Sequence, residues 1–286
     1  MTTGTTTSGI AIRDIAEIGE MRAVEEMQRE AWGIDDLSIV PYTQLSAAVH
    51  VGGTLLGAFD GDRLVGFVYG FYGHFRNEVV HHSHMLAVDP EYRDKNLGFR
   101  LKADQLNRVR GDGFAKRMTW TFDPLRSLNA YFNFAKLGVV SDTYLVNVYG
   151  EDAASFMHRT GTDRLLVSWF VNSERVLSVL ADAGGGSYAT KTDPRSEIEY
   201  LLRVSESGLP VREATIRGQE RLAIEIPADI GEVEKSDLKA AKLWRGGTRN
   251  AFLEALRAGF IATGFRREGE GSGSYVLERT GIDQYR

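Results

Sequence analysis

Three histidines crowd a short stretch, His81, His82 and His84, and a loop carrying Arg93, Lys95, Asn96, Gly98 and Arg100 follows them. Imidazole, with an ordinary pKa of about 6.5, can take up a proton near neutral pH. The loop has a different chemistry. Its cations suit an anion such as phosphate, and Asn and Gly are the residue types that tolerate left-handed backbone and close ligand approach. A helix opening from such a loop would add unpaired N–H groups and the positive end of its dipole. His74 and Asp89 lie near the histidines and raise the question of a metal. Two ligands from one strand face are feasible, but no third stands at a recognised spacing and no His-Glu-x-x-His occurs, so no metal is expected.

These residues need elements to hold them. Met85–Val88 reads as a buried strand, Asp89-Pro90 as a turn, and the stripe Phe99, Ala103, Leu106 with Leu101 and Val109 as a helix lying on a sheet. Before them, Ile10–Arg13 predicts a strand, Ile15–Ala31 a helix ending near Gly33, and Pro41 opens a second short helix. Thr54–Phe59 and Leu64–Tyr72 predict a hairpin turned at Asp60-Gly61-Asp62, with a polar connection over His74–Val80. After them come a strand at Arg117–Phe122, a helix from the N-cap Ser127 to Leu137 closed by Gly138, and strands at Val139–Tyr149 and Asp163–Val171.

From Asn172 the pattern changes. A helix at Ser173–Asp182 and a glycine-rich break at Ala183–Tyr188 come first, with another stop at Asp193-Pro194. Alternating segments at Glu199–Val204, Val211–Ile216 and Arg221–Ile226 follow. A helix at Ser236–Ala258, interrupted or strained at Gly246-Gly247, and strands at Phe260–Arg266 and Ser274–Leu277 complete a β-rich module. The expected domains are a disordered tail at 1–9, a first domain at 10–172 and a smaller α+β module at 173–286.

The chain has 286 residues, 43% hydrophobic and 26% charged, with net charge -5. That balance argues against nucleic acid or an anionic membrane as the main partner, since both need a basic face. The absence of cysteine removes a disulfide framework, a thiolate metal site and a thiol nucleophile. No apolar run approaches the roughly 18 residues of a membrane helix, and the first residues lack the features of a signal peptide, so a cytoplasmic location is expected.

Val88, Pro90, Arg93, Asn96 and Gly98, after a strand and before a helix, resemble the signature loop of the GNAT superfamily of acyl-CoA-dependent N-acyltransferases. Asn96 stands where the family has the first loop glycine. The hairpin TLLGAFDGDRLVGFVYGFYG resembles the family's second and third strands, and the resemblance runs over roughly residues 10 to 172. It implies an α/β (α+β) GNAT fold: a mixed twisted sheet with splayed central parallel strands flanked by helices, here followed by the second module. The strand leading into the loop and the strand at Arg117–Phe122 would be those parallel neighbours, with the acyl-CoA pantetheine arm entering between them.

The resemblance further implies transfer of an acyl group, acetyl or succinyl, from CoA to the amine of a small molecule, an amino acid being the favoured acceptor, by direct attack in a ternary complex. Backbone groups of Lys95, Asn96, Leu97, Gly98, Phe99 and Arg100, with Arg93 beside them, would bind the pyrophosphate, and the backbone near Leu86 and Val88 would pair with the pantetheine. Asn129 fits the family's helix after the Arg117–Phe122 strand. The family often places a base six residues before the valine, which is His82 here, with His84 the second choice. The family's tyrosine place is Phe134, so the nearest phenol, Tyr131, becomes the candidate acid. Arg126, Arg245 and Arg249 are candidates for a substrate carboxylate. Homodimerisation is compatible with the fold. The competing reading is a GNAT-like domain that binds acyl-CoA as a regulatory or structural ligand, for which the missing tyrosine speaks.

Overall fold

A computed structural model describes residues 9–150, 159–182, 198–269 and 271–286. The expected tail before Gly9, the Ala183–Tyr188 break and the Asp193-Pro194 stop lie outside the described residues. The chain forms two compact units that divide between Trp120 and Thr121, a different division from the 172/173 boundary expected from the sequence.

The first unit holds β1 (Ile10–Asp14), α1 (Ile18–Trp32), α2 (Tyr42–His50), β2 (Thr54–Asp60), β3 (Arg63–Phe75), β4 (Glu78–Val88), a 3-10 turn (Pro90–Lys95), α3 (Leu97–Asp112) and the start of β5 (Arg117–Phe122). Its strands run in the order β1-β2-β3-β4-β5. The first three pairings are antiparallel and β4 with β5 is parallel, the mixed sheet with central parallel strands that the sequence leads one to expect. Alternation buries both faces. On one face Phe67, Tyr69, Met85 and Ala87 pack with Met21, Val24 and Met27 of α1 and Leu45 of α2, and on the other Val65 and Val68 pack with Leu97 and Leu101 of α3. Pro41 caps α2, Gly33 ends α1 at φ 59°, and Gly113 ends α3 at φ 72°. The polar segment His74–Val80 is not a connection. β3 and β4 continue into it and turn at Arg76 and Asn77, both with positive φ, the two-residue geometry that matches strand twist.

The second unit holds α4 (Ser127–Ala130), a π-helical turn (Tyr131–Lys136), β6 (Val140–Leu145), β7 (Arg164–Phe170), α5 (Glu174–Ala181), β8 (Glu199–Val204), β9 (Pro210–Arg212), β10 (Arg221–Pro227), α6 (Ile230–Ser236), α7 (Leu238–Arg257), β11 (Phe260–Glu268), β12 (Ser272–Arg279) and a final 3-10 turn (Ile282–Tyr285). Its strands run β7-β6-β11-β12-β10-β8-β9. β6 pairs with β11 at Ser141 and Ala262, so strands from either side of residue 172 share one sheet.

Two expectations in this unit are corrected. The helix from Ser127 widens into a π turn at Tyr131. α7 runs for 20 residues without a break at Gly246-Gly247. The reason for Gly247 is close approach: a Cβ there would lie 3.3 Å from the Pro210 side chain and 3.4 Å from that of Leu202, so glycine lets β8 and β9 sit against the helix at a small cost in helix propensity.

Candidate active site

The loop is built as an anion site would be. Asp89 accepts a hydrogen bond from the Glu91 N–H at 2.9 Å and starts the 3-10 turn. Asn96 then takes the left-handed conformation, φ 56° and ψ 22°, at the mouth of the sixteen-residue α3. Its side chain places no cap on the helix and no acidic residue occupies the first turn, so the first N–H groups remain available to a ligand. Gly98 and Arg100 are half-buried there, and Leu97 and Phe99 point into the core. Three of the loop's cations have structural contacts: Arg100 donates to the Ile10 carbonyl at 3.1 Å, Arg93 reaches the Val88 carbonyl at 3.5 Å, and Lys95 lies 4.2 Å from the centre of the Tyr92 ring. Leu86 and Val88, half-buried, stand opposite Val68 and Gly66 of β3.

β4 carries a bulge. Met85 pairs with Tyr69 and Ser83 with Gly70, so His84 is an extra residue, which bends the strand and breaks its ladder. His82 and His84 come to lie on one face with ring centres 6.1 Å apart, both beside Phe71. His84 is exposed and His82 half-buried. His82 Nδ1 lies 3.1 Å from the Thr119 hydroxyl of β5. Burial, helped by the nearby His84 and Lys102, pushes the His82 imidazole down to about 4, well below the ordinary value used in reading the sequence. Desolvation also lowers His84. His82 is therefore neutral over the physiological range, and a weaker proton acceptor than an ordinary imidazole.

Bulge and fork adjoin. β4 and β5 pair at His81–Met118 and His82–Thr119. Ser83 and Trp120 are the first residues past that ladder. On the face of β4 opposite His82, a row of polar groups crosses the sheet beneath α3. Lys102 Nζ donates to Ser83 Oγ at 2.8 Å, and Ser83 donates to Gln105 Oε1 at 2.6 Å. Gln105 Nε2 donates to Thr54 Oγ1 at 2.9 Å, and the Thr54 hydroxyl lies 3.1 Å from His81 Nε2. The Thr54 hydroxyl, with two lone pairs and one hydrogen, meets either tautomer of the neutral His81 ring. Burial drives His81 down to about 3. Gly70 makes room for the row: a Cβ there would lie 2.4 Å from the His81 ring and 2.9 Å from Gln105.

Sequence reading missed this row. A signal was present, since Gly98, Lys102, Gln105 and Val109 follow the helical repeat on the sheet side of α3, but a lysine in a helix reads as solvated.

The remaining candidates belong to the second unit. Asn129 is in α4 and Tyr131 opens the π turn; Tyr131 is half-buried, with the Arg267 guanidinium 4.4 Å from its ring centre. Phe134 is buried against Phe122 and Tyr275. The three arginines considered for a substrate carboxylate already hold carboxylates of the chain. Arg245 forms a paired bridge with Asp123 at 2.8 and 2.7 Å, Arg249 one with Asp163 at 2.8 Å for both contacts, and Arg126 reaches Glu234 at 3.2 Å. Among the described residues no group of three or more His, Asp or Glu side chains is arranged to hold a metal ion. None of their helices is long and apolar enough to cross a membrane.

Among solved structures, the chain is similar to a GNAT-family acetyltransferase from Streptococcus pneumoniae at 14% identity, over 56% of this chain and 99% of that one, TM-score 0.45. It is similar at 15% identity to a GNAT acetyltransferase from Elizabethkingia anophelis with acetyl-CoA bound, over 57% and 99%, TM-score 0.45. A third is the ribosomal-protein-S18-alanine N-acetyltransferase from Escherichia coli, at 15% over 57% and 94%, TM-score 0.42. No curated protein matches the chain. The family match carries the assignment: residues 21–138, which include β4, the loop and α3, fit the Acetyltransferase (GNAT) family, and the chain carries a domain of that family of acyl-CoA-dependent N-acyltransferases.

Proposed function

We propose that the protein transfers an acetyl or succinyl group from CoA to the amine of a small molecule, an amino acid, by direct attack in a ternary complex. The observation that carries this reading is the uncapped start of α3 behind left-handed Asn96, which the chain reaches directly from β4 with its bulge at His84 and its ladder to β5 ending at His82. The residues fit the group. Lys95 to Arg100 would take the pyrophosphate on backbone N–H groups, with Arg93 adding charge, and the backbone near Leu86 and Val88 would take the pantetheine. Acyl-CoA supplies an activated carbonyl; the chain's task is to orient it and to take a proton from the amine. His82, neutral and beside the bulge, is the proposed base, with His84 next to it. Tyr131 and Asn129 keep the acid and helix-contact roles suggested by the resemblance, and residues 10–172 remain the proposed acyl-CoA-binding region.

The test is calorimetric binding of CoA, acetyl-CoA and succinyl-CoA, followed by thiol release with the best donor against a panel of amino acids. Binding with turnover of one acceptor is expected. Gly98→Glu, which sets a carboxylate where the phosphates would lie, should abolish binding without unfolding the protein. Full affinity in that variant would overturn the loop assignment. Binding without turnover of any amine would move the protein to the regulatory reading.

A further inference from the structure

Lys102 is a cation in an unusual place. Its residue is 3% exposed, and no carboxylate partners it among the described residues. Its Nζ bridges the two strands at the point where they part. It donates to Ser83 of β4 at 2.8 Å and lies 3.6 Å from the centre of the Trp120 ring of β5. Both contacts favour the ammonium, since the hydroxyl accepts from it and the indole face attracts it. Burial opposes the charge and lowers the Lys102 pKa well below the lysine value.

The surroundings are fixed. Ser83 is tied to Gln105, Gln105 to Thr54 and Thr54 to His81, and Gly70 leaves these side chains their room. The titratable neighbours are His81 and His82 from β4, both held neutral by burial; α3 offers Gln105, β2 Thr54 and β5 Trp120 and Thr119, none of them charged. A primary amide sits in the middle of the row and does not pass protons along, so the row orients Lys102 without draining its proton. Such a layout suits a cation kept ready for an anion that forms at the fork.

We propose that Lys102 faces the sulfur of the thioester at the fork of β4 and β5 and stabilises the thiolate as it departs. This rests on the acyl-CoA reading above. In the balanced step the amine nitrogen attacks the carbonyl carbon, the C–N bond forms and the C–S bond breaks. The amine's proton goes to the base, and the electron pair of the broken bond goes to sulfur. Lys102 neutralises that charge, or gives the sulfur its proton and recovers one from solvent as CoA leaves. A lysine made more acidic by burial is closer to a thiol in proton affinity and is the better donor for it.

The test reads the bound thiol directly. CoA bound to the protein is titrated by the ultraviolet absorbance of its thiolate, beside free CoA, in the wild type and in Lys102→Met. In the wild type the bound thiol should ionise at least tenfold more readily than the free one, and in Lys102→Met the advantage should vanish. Acetyl-CoA affinity should stay within about threefold, showing that the phosphate site survives. Equal thiol ionisation in the two proteins would overturn the proposal while leaving the acyl-CoA reading in place. A wild type that binds neither CoA nor acetyl-CoA would overturn both. Should Lys102→Met fail to fold, Ser83→Ala takes its place: it loosens the ammonium from β4 and should lose part of the same advantage, and full retention would sink the role given to Ser83 and Lys102 together.

Discussion

Cations in the molecule meet two kinds of partner: arginines of both units pair with carboxylates, as Arg117 does with Glu78 in the first, whereas Lys102 is held without one. In the second unit Arg245 and Arg249 each meet an aspartate with two hydrogen bonds, and Asp163 also accepts from the Tyr144 hydroxyl at 2.7 Å. In the first, Lys102 meets a hydroxyl and an indole ring. A planar guanidinium with a carboxylate on its fork is a finished structural contact. A lysine with no counter-charge costs the fold something and gains from any anion that arrives. The contrast separates buried charge that holds structure from buried charge that waits for a ligand.

The largest effect is expected from breaking a finished pair. Asp123→Ala leaves Arg245 buried and unpaired and should cost about 3–5 kcal/mol in denaturant unfolding; a loss under 1 kcal/mol would mean the pair is no better than a surface bridge. Burial raises the Asp123 pKa, but Arg245 outweighs it and holds the carboxyl below its ordinary value. The unfolded chain therefore binds the proton first as pH falls. The pair's contribution is in place above about pH 3.9 and is lost as pH drops through the folded pKa.

A change of opposite sign is expected at Lys102. Lys102→Met removes a charge the interior does not neutralise and should leave stability unchanged or raise it by about 1 kcal/mol at neutral pH. The folded pKa is depressed, so between it and the unfolded value of about 10.4 the unfolded chain holds more protons. Wild-type stability should rise relative to the variant as pH climbs through that window. A strong loss of stability in Lys102→Met would erase the comparison and make this lysine as structural as Arg245.

The smallest effect is at His82, whose imidazole is lowered by burial first, then by His84 and Lys102. Followed by NMR, it should titrate near 4 in the wild type and somewhat higher in Lys102→Met. An identical midpoint would show that burial and His84 account for the shift alone.

Much of this was written in local patterns. The hairpin turn at Asp60-Gly61, the strand before Asp89-Pro90, the left-handed Asn96 and the helix behind it follow from turn chemistry and apolar spacing, which act over a few residues. What escaped depends on partners far away in the chain. Ser141 pairs with Ala262, so no composition shift near 172 could reveal the strands' common sheet. Lys102 needed β4 and β5 beside it to be seen as buried, and the arginines of α7 needed Asp123 and Asp163. Gly246-Gly247 looked like a break because the chain reads the cost of glycine, whereas Pro210 supplies the reason for it.

The extra residue in β4 also shifts the strand's odd-even count. Up to His84, odd positions such as His81 and Ser83 face α3; beyond it Met85 and Ala87 face α1, and Leu86 and Val88 take the other side. A deletion of His84 alone would remove the bulge and make Ser83 and Met85 ordinary alternating neighbours, so Met85 and Ala87 would keep facing α1. At this point of the chain, the extra position bears on the ladder and not on the core: the bulge interrupts the strand's pairing at His84, while the side chains leading to the loop keep the faces that a regular strand one residue shorter would give them.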